Sequence, residues 1–281
     1  MSKSVLLKSS IAKKYWMSLT GLFLCLFLTG HLIGNLQLFA SGEEGRRAFN
    51  EYAYFMQHNP LIKVMSYVTY LSILFHAIDG ILLAVQNKKA RPVKYAVNNA
   101  ASNSTSASRK MAILGSIIFI FIATHMVNFW AKMHFGGLNL HKVEISVPND
   151  PKSQELYITT NQNYIPVEQV IVKDETMFYN KEVNIKIGEG YKDLHSAVMA
   201  FFGKDAHGMK ANPLAWLGVL LYIISMIVLS FHLMHGFASA FQTLGLRHAR
   251  YTPIIEKIGK AFSIIVPALF AIIPLYIFFK S

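Results

Sequence analysis

Five stretches of this chain are long and apolar enough to cross a bilayer, and they constrain its fold more than any other feature. They run approximately Tyr15–Ala40, Leu61–Gln86, Met111–Met133, Pro213–Thr243 and Ile258–Phe279. A hydrocarbon core roughly 30 Å thick needs about 20 residues of helix to span it. No water reaches that core, so backbone polar groups must pair within the segment, which makes a helix the expected form. Of the 281 residues 53% are hydrophobic and 15% charged, a membrane rather than a soluble profile. The first stretch lacks a small-residue cleavage site and is longer than a signal-peptide core, so it is read as a retained helix. The expected fold class is an all-α integral membrane protein, a bundle of five transmembrane helices.

The formal net charge of +12 could suggest nucleic acid, but its placement argues against that partner. Lys3, Lys8, Lys13 and Lys14 precede the first stretch. Lys88, Lys89, Arg91, Lys94, Arg109 and Lys110 lie between the second and third, and Arg247, Arg250, Lys257 and Lys260 between the fourth and fifth. Only Glu256 opposes them in those segments. All three segments fall on one side of a five-span topology. The positive-inside rule places the N-terminus in the cytoplasm and the C-terminus outside, as for a multi-pass protein of a bacterial cytoplasmic (inner) membrane. The same charge suits anionic membrane lipid.

Cys25 is the only cysteine. That excludes an intrachain disulfide, a four-cysteine iron–sulfur site and a c-type haem attachment. The chain divides into a cytoplasmic N-terminus (1–14), three helices with loops (15–133), an outer insert (134–212) and two final helices (213–281). Asn98–Lys110 is polar, small and expected to be flexible. Phe49–Met56, in the first outer loop, reads as a short interfacial helix. The insert is too long for a plain loop. Its Glu155–Thr160 and Ile165–Val172 stretches have strand-like content, so an irregular or small β cap is expected there.

Four of the apolar stretches each carry a histidine at membrane depth: His31, His76, His125 and His232. Ionisable groups are rare within a bilayer and usually functional. With the direction of each helix set, depth follows at about 1.5 Å per residue. His31 and His125 lie roughly 25 and 22 Å from the cytoplasmic ends of their helices, in the outer half. His76 and His232 follow Pro60 and Pro213 by roughly 24 and 28 Å, which places them in the inner half. Two axial pairs result, His31 with His125 and His76 with His232, as two stacked b haems require. Gly30, Gly34, Gly80 and Gly236 lie beside these histidines and leave room for a flat group, although close helix packing also uses small residues. Asp79, three residues after His76, is expected to orient a ligand or carry protons, unless it is a paired structural carboxylate. His235 lies one turn beyond His232, and depth measured back from Arg247 slightly favours it, so spacing alone does not choose between them. His58, His134, His141, His195, His207 and His248 fall at helix ends or in loops and are expected to be solvated.

On these residues the chain resembles the dihaem cytochrome b subunit of succinate dehydrogenases and fumarate reductases, of the five-helix, single-anchor type. The resemblance rests on TGHLIGNLQLF (Thr29 to Phe39), LFHAIDGILLA (Leu74 to Ala84), THMVNFW (Thr124 to Trp130) and FHLMHGFASAFQTLGLRH (Phe231 to His248). In that family the helix-4 ligand precedes a glycine by four residues, which selects His232, with Gly236, over His235. The resemblance implies two haem b groups, with His31 and His125 as iron ligands of the outer one and His76 and His232 of the inner one. It implies a flavoprotein with FAD and an iron–sulfur protein docked on the cytoplasmic face, the dicarboxylate site lying on those partners. The membrane subunit would pass electrons between the iron–sulfur protein and a quinone, menaquinone in this reading. Glu51 is the nearest match to an acidic residue used in quinol proton transfer. Two departures stand out: Ser230 occupies a position where some relatives carry a glutamate proposed as a transmembrane proton path, and the outer insert is longer. The alternatives are the cytochrome b anchor of a hydrogenase or formate dehydrogenase, and a haem-free proton-coupled transporter.

Overall fold

The computed structural model describes residues 9–90, 92–93, 102, 106–146 and 153–280. The basic residues Lys3, Lys8, Arg91 and Lys94, and much of the polar segment expected at Asn98–Lys110, lie outside the described residues. In chain order the elements are α1 (Ser10–Asn35), a 3-10 turn (Leu36–Phe39), α2 (Gly42–His58), α3 (Pro60–Lys89), the short α4 (Ser106–Arg109), α5 (Met111–His125), a π-helical turn (Met126–Trp130) and α6 (Ala131–Phe135). Six strands follow: β1 (Lys142–Ile145), β2 (Gln154–Ile158), β3 (Tyr164–Pro166), β4 (Val170–Lys173), β5 (Met177–Asn180) and β6 (Lys186–Glu189). Three helices close the chain: α7 (Leu194–Phe201), α8 (Ala215–Thr243) and α9 (Thr252–Phe279).

Among the described residues five helical spans are long and apolar enough to cross a membrane: Ser10–Phe39, Pro60–Lys89, Met111–Phe135, Ala215–Thr243 and Thr252–Phe279. The chain is therefore a multi-pass membrane protein in its architecture. Large apolar side chains along the spans point outward, Leu26 at 67% exposure and Ile33 and Ile120 at 63% among them. A continuous apolar surface of that kind is unsustainable in water and natural against acyl chains. Hydroxyl groups within the spans satisfy themselves locally. Ser18 donates to the carbonyl of Lys14, Thr69 to that of Met65 and Ser225 to that of Leu221, so these three hydroxyls do not meet hydrocarbon unpaired.

Helix ends follow local chemistry. Asn59 Oδ1 accepts from the amides of Leu61 and Ile62 at 3.0 and 3.3 Å, and Pro60 opens α3, where a missing N–H costs nothing. The third span stops at Gly136 and Gly137, whose φ values of +89° and +100° suit glycine alone. The fifth span starts at Thr252 rather than Ile258, because Glu256, Lys257 and Lys260 sit on its first turns and interrupt the apolar run from which the sequence reading worked.

The chain forms two compact units. The first holds Met1–Ile33, Val64–Ala123 and Leu220–Ile272. Its core is the α8 row Met226, Leu229 and Leu233, packed by Cys25 and Leu28 of α1, Ile118 and Phe121 of α5, and Phe262, Phe270 and Ala271 of α9. The second unit holds Gly34–Lys63, Thr124–Val219 and Ile273–Ser281. It contains α2, α7 and two antiparallel three-stranded sheets, β1-β2-β3 and β4-β5-β6. Tyr157 of β2 stacks on Phe178 of β5, with ring centres 4.7 Å apart, and Val170 completes that core. The Ile165–Val172 stretch is two strands, split by a 3-10 turn at Val167–Gln169. The interfacial helix expected at Phe49–Met56 is longer, α2 in full, and α7 adds a helix to the insert beside its strands.

Candidate functional site

His76 and His232 meet inside the first unit, their ring centres 6.2 Å apart and their planes at 67°. Both sit on long apolar helices, so each imidazole leaves water only if its polar atoms find use. His76 Nδ1 lies 3.2 Å from the carbonyl of Met17 and 3.3 Å from Thr20 Oγ1, both on α1. A carbonyl only accepts, so Nδ1 carries the proton. The Thr20 hydroxyl already donates along its own helix, to Trp16 O at 2.9 Å and Met17 O at 3.1 Å, and so receives from His76 as well. The Nε2 lone pair is thereby left for another partner, the tautomer a ligating histidine needs. These α1 atoms, rather than Asp79 on its own helix, meet His76 Nδ1. Gly21 of α1 makes the approach possible, since a Cβ there would sit 3.1 Å from His76 Cε1.

His232 Nδ1 is buried and has no hydrogen-bond partner among the described residues. Gly115 of α5 faces its ring: a Cβ there would stand 3.7 Å from Cε1. His235 does something different. It lines a cavity of about 320 Å³ with Ser239, Gln242, Arg247 and Glu256, and its Nε2 is 3.5 Å from Ser239 Oγ. Of the two α8 histidines, His232 is the one brought to His76.

His31 and His125 belong to different units and take separate surroundings. In the first unit His31 stacks on Phe27 at 5.4 Å and 13°, with Phe270 tilted against it at 5.6 Å. In the second, His125 ends α5 at the start of the π-helical turn and meets Phe129 edge-on at 5.4 Å. Around the glycines the reading divides. A Cβ at Gly30, Gly80 or Gly236 would meet nothing within 4 Å. The face of Gly34 is filled by the Tyr52 ring, whose Cε1 is 2.7 Å from where a Cβ would stand. Glu51 lies on α2 and is paired with Arg47 at 2.8 Å, the two side chains about 30% exposed.

The second unit also holds a buried polar network. Arg46 of α2 is 1% exposed and reaches Asp193 Oδ2 through Nε at 3.0 Å and a terminal nitrogen at 2.5 Å. Its other terminal nitrogen bonds Glu43 Oε2, the carbonyl of Lys142 and His207 Nδ1. Asn50 Oδ1 accepts from the His195 amide at 2.9 Å, so its nitrogen donates to Asp193 Oδ1 at 2.8 Å and His141 Nδ1 at 3.1 Å. His141 Nδ1 is thus the acceptor, and its Nε2–H donates to Glu43. Asp193 further caps α7 by accepting from the Ser196 amide. Burial alone would raise the Asp193 carboxyl, but the Arg46 bonds and charge outweigh it and hold the group at about 2. The same balance lowers Glu43, where burial is outweighed by the His141 and Arg46 bonds. Burial lowers His195 to about 4. Burial, and then the Arg46 charge, lowers His207.

Two histidine expectations are corrected here: His141 is fully buried and His195 is 9% exposed, where solvated rings were expected. Their partners stand far away in sequence, Arg46 from Asp193 by 147 residues and Asn50 from His141 by 91. In the sequence Arg46 and Arg47 stand beside Glu43, Glu44 and Glu51, which places charge in this loop but does not identify the distant partners. Among the described residues no group of three or more His, Cys, Asp or Glu side chains is arranged to hold a metal ion. The chain matches no protein-family model, no curated protein and no solved structure.

Proposed function

We propose that this chain is the dihaem cytochrome b membrane anchor of a succinate:quinone oxidoreductase, a succinate dehydrogenase or fumarate reductase. The observation that carries the reading is the His76–His232 pair. His76 and His232 would hold the iron of one haem through their imidazole nitrogens, and the haem would supply one-electron transfer. Their ring centres are 6.2 Å apart. The Nδ1 proton of His76 is fixed by Met17 O, and open space lies beside Gly80 and Gly236, one turn after each histidine. These features support His76 and His232 as the residues that would hold one haem b. His31 and His125 are the proposed ligands of a second haem b nearer the outer face.

The chain's own residues hold the imidazoles in the ligating tautomer, exclude water with the apolar helices and span the membrane. In this reading the flavoprotein, with FAD and the dicarboxylate site, and the iron–sulfur protein dock on the cytoplasmic face. Electrons pass between the iron–sulfur protein and a quinone, menaquinone in this reading. Glu51 is the proposed proton-transfer residue near the outer quinone. The N-terminus is cytoplasmic and the C-terminus outside, in a bacterial inner membrane.

Co-purification tests the assignment. A flavoprotein together with haem reducible by succinate supports it. A nickel or molybdenum partner overturns it in favour of a hydrogenase or formate dehydrogenase anchor.

A further inference from the structure

We propose that a cleft at one end of the first unit, where α1 begins and α3 and α8 stop, binds the headgroup of an anionic phospholipid. The site stands apart from the dihaem reading above. The cleft has a volume of about 540 Å³, within the range of small-ligand sites. Its polar wall is Lys14 and Tyr15 on the second turn of α1, Asn87 on the last turn of α3, and Ser239 and Gln242 on the last two turns of α8. Leu83, 6% exposed, adds an apolar floor. All of these residues belong to the one unit. Lys14 Nζ, the Tyr15 hydroxyl and the side-chain amides of Asn87 and Gln242 have no hydrogen-bond partner among the described residues. Each has an N–H or O–H to donate, and a phosphodiester offers only acceptors.

The surroundings identify the occupant. Tyr15 and Trp16 are 43% and 48% exposed at the start of the first span, and aromatic rings at span ends sit at headgroup level. Lys13 adjoins Lys14, and Lys88 and Lys89 follow Asn87. Lysines so placed lay their stems along apolar surface and carry their charge to the headgroups. Basic pockets between membrane-spanning helices suit anionic lipid. Among the described residues no carboxylate lines the cleft. The phosphate of any phospholipid can meet Lys14, but the ammonium of a zwitterionic headgroup finds no counter-charge there. A headgroup of net negative charge, such as phosphatidylglycerol, is therefore preferred. On the other side of α8 a second cavity shares Ser239 and Gln242, but its wall holds Glu256 as well as Arg247. That carboxylate repels a phosphate, so the α1 side is the favoured one. Met17 also lines the cleft, and its carbonyl accepts from His76 Nδ1, so the lipid and His76 share one stretch of α1.

The test titrates the full-length protein, stripped of lipid in a neutral detergent, with phosphatidylglycerol, phosphatidylcholine or inorganic phosphate, and counts bound molecules by native mass spectrometry. One phosphatidylglycerol is expected to bind in preference to phosphatidylcholine, and inorganic phosphate not to bind. Lys14→Gln is expected to weaken that binding about fivefold, the effect of one lysine at an anionic headgroup, and Arg247→Gln to leave it unchanged. Asn87→Leu keeps the charge but removes a donor from the opposite wall; it weakens binding as well, and it serves in place of Lys14→Gln if that variant does not fold. Equal binding of the two lipids, or binding of inorganic phosphate as tight as that of the lipid, overturns the proposal. So does binding that ignores the Lys14 and Asn87 substitutions, or that is lost in Arg247→Gln instead.

Discussion

His76 and His232, 156 positions apart in sequence, face one another with ring centres 6.2 Å apart within one apolar helical unit. His76 Nδ1 is satisfied by Met17 O, whereas His232 Nδ1 has no hydrogen-bond partner among the described residues, where a leucine would fill the space without a buried polar atom. Leaving a polar atom unsatisfied costs about 1–3 kcal/mol, which the unit tolerates if the pair has other work.

His76→Ala and His232→Ala are each expected to lose one b haem per chain while the other persists. His235→Ala keeps both, because that ring faces the cavity with Ser239 and Gln242. Haem-to-protein ratios of the three variants check this, and loss of a haem in His235→Ala with retention in His232→Ala would reverse the assignment.

Gly21→Leu is expected to disturb the inner haem. Even a Cβ at this position stands 3.1 Å from His76 Cε1, so a longer side chain must displace the ring from Met17 O. A shifted or lost absorbance for one haem, with the other unaltered, is the expected outcome in a reduced-minus-oxidised spectrum. An unaltered inner haem counts against the position assigned to His76.

Arg46→Met is expected to destabilise the second unit by about 3–5 kcal/mol, the usual effect of leaving a buried charge unpaired. Asp193 is 1% exposed and caps α7, so its carboxylate has no route to water. Thermal unfolding in detergent measures this loss. The exposed Arg47–Glu51 pair is worth no more than about 1 kcal/mol. Glu51→Gln should therefore leave stability and haem content nearly unchanged while it slows quinone turnover, and unchanged turnover removes Glu51 from the proposed chemistry.

The helical spans were legible because hydropathy is local: each needs only its own run of apolar residues. The meeting of His76 with His232 was legible as a match in depth, since about 1.5 Å per residue converts position to depth once direction is set. The choice of His232 over His235 was not, because it depends on how α8 is rotated, which the packing of Met226, Leu229 and Leu233 against three other helices decides. The network around Arg46 was also hidden. Its members come from α2, β1, α7 and the turn at His207, and nothing near any one of them in sequence announces the others.

The insert is expected to lose stability in mild acid. His195 is held neutral, its value lowered by burial from 6.5 to about 4. The unfolded chain binds the proton more readily, so this contribution is complete above pH 6.5 and declines as pH falls from 6.5 towards 4, by up to about 3 kcal/mol. Asp193 adds a second decline below pH 3.8, towards 2, where protonation releases Arg46. Hydrogen exchange of residues 194–201 at pH 7 and pH 5 follows the first decline, and His195→Phe should flatten it.

The most direct measurement is the haem content of the purified full-length chain, taken with its reduced-minus-oxidised spectrum. Two haems per chain with a b-type α band is the result this account predicts. A spectrum without a b-type band would contradict it and leave the four histidines to a haem-free role.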